Sequence, residues 1–181
     1  RRPVADDKIM DQAWQRICAA KRPMILAGNG CIRRRASTQL RRFVAQTGIG
    51  TVSTFMAKGA VDMDDERCCF TVGLGAKDYP ALALEQADLV ISLGYDMVEY
   101  HPHLWNQKRE HKILHFDFIP AEIDDCYPIE LEVVGDLAHS RVARSAYEAF
   151  NALGIGAIHF VATDGMMLDE ETYTNAHRFS K

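Results

Sequence analysis

No C-x-x-C pair occurs in this sequence, and its five cysteines (Cys18, Cys31, Cys68, Cys69 and Cys126) are odd in number. Such a set excludes a disulfide framework or a zinc ribbon as the organising feature, and reads as free thiols in a reducing cytoplasm. No apolar run approaches the roughly 18–20 residues that would span a bilayer. Neither sign of charge is in excess. The 21 Lys and Arg stand against 25 Asp and Glu, a net charge of -4, so neither nucleic acid nor an anionic membrane surface is an expected partner. Internal repeats and low-complexity stretches are missing too. Arg1-Arg2-Pro3 opens the chain without an apolar stretch, so no signal peptide is read. It also opens without Met, as a piece of something longer would.

What is present is apolar residue in quantity, 48% of 181. That suits one domain with a full core, or one domain and an appendage. Residues 1–5 read as a linker. Asp6 or Asp7 can cap a helix that carries Ile9, Ala13, Ile17 and Ala20 at helical spacing. Pro23 opens a strand through Ala27. A basic helix beginning near Arg33 or Ala36 turns Leu40, Phe43 and Val44 inward, and stops at Thr47-Gly48. Short strands are read at Thr51–Ser53, Cys68–Val72, Leu89–Leu93, Lys112–Asp117 and Leu131–Val134, with a helix at Ala81–Ala87 led by Pro80. Residues 61–67 are acidic and read as solvated, and Pro120–Ile123 as one helical turn. The alternation of strand and helix calls for parallel βα units in an open sheet of five or six strands. Asp136 can cap a further helix through Phe150, and Ile155–Val161 is a candidate strand. Thr163–Lys181 matches no pattern and is expected to be a tail.

The chain is organised around residues 88–106, DLVISLGYDMVEYHPHLWN. Its apolar start does not alternate, which is the mark of a strand buried on both faces. After Gly94 the residues turn aromatic and acidic, and Pro102 keeps them out of regular structure. Ligands and partners meet an open α/β sheet at the carboxyl ends of its strands. The loop is therefore a working surface, or else its aromatics simply cover the sheet end.

Gly94-Tyr95-Asp96, Glu99-Tyr100, Pro102, Trp105 and Asn106 form a G-Y-D-x-x-E-Y-x-P-x-x-W-N run. This run resembles that of the catabolic, flavin-independent acetolactate synthases, members of the thiamine-diphosphate-dependent decarboxylase and carboligase superfamily. Three more segments, and the entry strand Arg22–Gly30, extend the resemblance. Thr54–Ala60 is similar to T-x-M-x-K-G-x, His115–Ile123 to H-x-D-x-x-P-A-E-I, and Val133–Asp136 to V-x-G-D. They fall in the family's order over roughly residues 20–140 and cover only the middle domain of a three-domain enzyme.

The resemblance implies a Rossmann-like fold, an open parallel sheet with helices on both faces, over residues 6–152. Residues 153–181 would then be an extension or a linker to the next domain. It implies a parent enzyme that joins two pyruvates to 2-acetolactate with loss of CO2, using thiamine diphosphate and Mg2+ held by two domains absent here. No residue of this chain is implied to be catalytic. The chain's nearest approach to the metal motif, Thr163-Asp164-Gly165, lacks its first Gly. The partners implied are the two thiamine-binding domains, within a homo-oligomer.

Some members bind FAD, ADP or coenzyme A in this domain. Gly28 and Gly30 after a strand, with Gly94, are the residues through which a phosphate could be approached. The full G-x-G-x-x-G is missing, because position 33 is Arg. Arg33, Arg34 and Arg35 suit either an anion or a solvated basic face. Where flavin-containing relatives carry G-A-R-F-D-D-R, this chain places Asp96 and Tyr100 at the two arginines. Bound FAD is therefore not expected. A free-standing nucleotide module, or the central domain of another carboligase, stays open as an alternative. Glu99, His101, His103, His111 and His115 show no diagnostic ligand spacing, so no metal site is expected. Tyr95, Tyr100 and Trp105 are read as interface anchors, exposed where the domain meets its neighbours.

Overall fold

The computed structural model describes residues 5–33, 35–75, 78–135, 158–160 and 176–178. Two compact units divide the chain, at residues 1–140 and 141–181. In the first, helix α1 (Asp7–Ala19) begins where Asp6 accepts the backbone N–H groups of Lys8 and Ile9, the side-chain cap expected of an Asp before an amphipathic run. Strand β1 (Pro23–Ala27) follows. The basic helix comes in two pieces, α2 (Asn29–Arg33) and α3 (Ser37–Thr47). Gly48 ends α3 in the left-handed conformation, φ 71°, which glycine reaches without steric cost. Strands β2 (Gly50–Thr54) and β3 (Cys68–Val72), helix α4 (Ala81–Glu85), and strands β4 (Leu89–Leu93), β5 (Lys112–Asp117) and β6 (Ile129–Val134) complete the unit.

The six strands form one sheet in the order β3-β2-β1-β4-β5-β6, and each pairing is parallel. This is the Rossmann-like open sheet that the sequence implies. The order reverses between β1 and β4, and ligands of open α/β sheets bind beyond the carboxyl ends of strands at such a reversal.

Side-chain alternation along the strands sends residues to two cores. Ile25, Ala27, Leu89, Ile91 and Leu114 face one side, where Ala13 and Ile17 of α1 and Leu40 and Val44 of α3 cover them. Trp14 and Phe43 meet edge to face at 6.5 Å beside that layer. Ala5, within the segment read as a linker, is also buried there. Leu26, Val90 and Ile113 face the other side, where α4 supplies buried Ala81 and Leu84 and half-buried Ala83. A helix of five residues cannot roof that face, and Tyr95, Met97, Tyr100, Trp105 and Tyr127 complete the cover.

One local expectation fails. Residues 120–124 are irregular, not a helical turn. Ala121 donates its N–H to Glu132 Oε1 at 2.6 Å, and Ile119 and Ile123 are exposed, so no apolar face anchors a turn there. The helix expected after Asp136 lies outside the described residues. In the second unit, Ile158–Phe160 is a strand (β7), within the span read as a candidate strand. It pairs in parallel with Ala176–Arg178 (β8), which lies in the segment expected to be a tail.

Candidate functional site at the strand-order reversal

The turn after β1 and the loop after β4 meet in the crevice where ligands of this architecture bind. Here they meet each other instead. Gly28 donates to Leu93 O at 2.9 Å and Gly30 to Gly94 O at 2.8 Å. A Cβ built on Gly28 would lie 2.4 Å from Gly94 O, and one on Gly30 would lie 2.5 Å from Gly94 Cα. Gly94 itself is at φ 56°, a conformation that favours glycine. All three glycines thus serve backbone-on-backbone packing, and the N–H groups of Gly28 and Gly30 are taken.

The remaining N–H of the turn, on Asn29, points at a carboxylate. Glu99 accepts it through both oxygens, at 3.1 and 3.0 Å. The same carboxylate accepts Thr54 Oγ1 at 2.5 Å and Asp96 N–H at 3.2 Å. Glu99 is buried, 5% exposed, and four donated contacts replace its hydration. An N–H at the start of a helix after a first strand is the place where a dinucleotide fold seats phosphate. In this chain Glu99 supplies the negative charge from within. Asp96, the residue expected to repel a pyrophosphate, is exposed and accepts Val98 N–H at 3.0 Å in a local turn. The carboxylate at the turn is thus Glu99, three residues beyond Asp96. The one signal available was a Glu set among the aromatics of the loop.

The three rings expected at an interface are corrected by the structure, because they pack into the domain. Tyr95 is 4% exposed, Tyr100 7% and Trp105 2%. Tyr95 OH donates to Tyr100 O at 2.5 Å, and burial pushes its phenol above the ordinary range. Tyr127 meets Trp105 edge to face at 6.3 Å and Tyr95 at 5.7 Å. Asn106 closes the loop by donating Nδ2 to Cys126 O at 2.8 Å. Of the two readings open from sequence, the aromatics cover the sheet end.

The five groups considered for a metal are dispersed. His101 and His103 touch through Nδ1 atoms 2.9 Å apart on the outer side of the loop. Glu99 turns inward, His111 Nδ1 donates to Ala87 O, and His115 lies under Tyr127. Among the described residues no group of three or more His, Cys, Asp or Glu is placed to hold a metal ion. Arg33 and Arg35 are exposed. Arg41 of α3 reaches Asp62 of the acidic loop at 3.2 Å, an exposed pair of small energetic weight. Thr163-Asp164-Gly165 lies outside the described residues. Among those residues no helix is long and apolar enough to cross a membrane.

A second polar cluster, missed from sequence, ties β4 to β5 below the aromatic layer. Ser92 Oγ lies 2.5 Å from Tyr127 OH, which lies 3.0 Å from His115 Nδ1. All three residues are buried. Burial holds the His115 imidazole below its usual pKa, against the opposing pull of Asp117 and Glu132, so it is kept neutral. Its place beneath the sheet end suits it to a structural role.

Residues 10–143 match the family described as thiamine pyrophosphate enzyme, central domain. Among curated relatives, an acetolactate synthase of Bacillus subtilis is 38% identical over 136 residues, covering 75% of this chain and 24% of that protein. A catabolic acetolactate synthase of Raoultella terrigena is 34% identical over 75% of this chain and 24% of its own length. A chloroplastic acetolactate synthase of Arabidopsis thaliana is 31% identical over 73% and 20%. The chain thus spans about a quarter of the length of the relatives it matches. A solved structure of a putative thiamin diphosphate-dependent enzyme from Mycobacterium smegmatis superposes with a TM-score of 0.60 at 20% identity, over 75% of this chain and 26% of that one. That likeness bears on the fold. With the fold and the family match in agreement, this chain belongs to the thiamine pyrophosphate enzyme family, as its central domain.

Proposed function

We propose that this chain is the central, structural domain of an acetolactate synthase that condenses two pyruvates to 2-acetolactate with release of CO2. The observation that carries the reading is the relatives' identity of 31–38% over about three quarters of the chain, with acetolactate synthase as their common name. The chemistry would belong to thiamine diphosphate and Mg2+ in neighbouring domains. Among the described residues no donor groups are placed to hold a metal ion, and no step is assigned to them. Its own part is to hold those domains, in an oligomer and in the cytoplasm, where its free cysteines stay reduced. The apolar residues that remain exposed near the sheet's carboxyl end suit such contacts. They include Phe55, Met56, Leu74, Val98, Leu104 and Ile119, rather than the aromatic trio.

The domain works without a nucleotide. Support comes from Glu99 on the Asn29 N–H and from the closed packing of Gly28, Gly30 and Gly94. The test has two arms. The chain incubated with pyruvate, thiamine diphosphate and Mg2+ is expected to form no acetolactate, whereas the longer polypeptide encoded by its gene forms it. Acetolactate from the chain alone, or none from the longer polypeptide, overturns the assignment. FAD, ADP and coenzyme A at sub-millimolar concentration are expected to leave the melting temperature unchanged. A rise of several degrees with any of them points instead to a nucleotide-binding module.

A further inference from the structure

We draw no further inference here: the strongest candidate, the open apolar groove beside the β3 edge lined by Cys69, Phe70, Tyr79, Pro80 and Ala83, carries nothing because no feature of the structure shows what covers it.

Discussion

The carboxylate of Glu99 rests on the backbone N–H of Asn29, with its two oxygens 3.1 and 3.0 Å from the nitrogen. Seventy residues separate the two in sequence. The contact joins the turn after β1 to the loop after β4.

Replacing Glu99 by Ala strands the buried Thr54 hydroxyl and takes the acceptor from the part-buried Asn29 and Asp96 N–H groups. The expected cost is about 2–4 kcal/mol, since each unsatisfied buried donor carries a desolvation penalty. Glu99→Gln keeps one acceptor oxygen and should lose about half as much. Urea titration of the three proteins measures this. A Glu99→Ala chain as stable as the parent sequence would mean that water fills the place at no cost.

Trp105→Ala should behave as a core truncation, because the ring is 2% exposed and packs on Tyr95 and Tyr127. The expected loss is about 3–5 kcal/mol, against less than about 1 kcal/mol for an exposed anchor. A shift of the urea midpoint at constant slope is the readout, and a small shift would return the loop to the surface.

Gly28→Ala and Gly48→Ala should separate two uses of glycine. The new methyl at Gly28 falls 2.4 Å from backbone atoms of Gly94 and Tyr95, which cannot swing aside. A loss of at least about 3 kcal/mol, or failure to fold, is expected. Gly48 has nothing within 4 Å of an added Cβ but sits at φ 71°. Only left-handed strain of about 1–2 kcal/mol should appear there. Equal effects at both positions would refute the close-packing account.

His115 should make stability depend on pH. Its folded pKa lies below the unfolded value near 6.5, because burial disfavours the imidazolium. The unfolded chain therefore binds more protons below about 6.5, and stability falls as pH drops through that value toward the lowered native pKa. Above it the contribution is fully present. His115→Gln should flatten the difference in unfolding free energy between pH 7 and pH 5. An unchanged slope would assign the acid sensitivity to the carboxylates.

Local chemistry made much of this protein legible without coordinates. The Asp6 cap, the Gly48 stop and the non-alternating, mostly apolar run of β4 each act within a few residues, so helix α1, the end of α3 and the central strand were readable directly. The parallel sheet followed from the alternation of these elements, and the four ordered motifs placed the chain in its family. Only the tertiary structure decided what the loop after β4 does. A loop has no period that separates an inward face from an outward one. The direction of Tyr95, Tyr100 and Trp105 was set by the short α4, which leaves one face of the sheet to be roofed by something else. The role of Glu99 rests on partners 70 and 45 residues away, and the close approach of Gly28 and Gly30 to Gly94 rests on the pairing of β1 with β4. Contacts made through the sheet order carry no local signature, because the residues that meet there are neighbours only once the strands have paired.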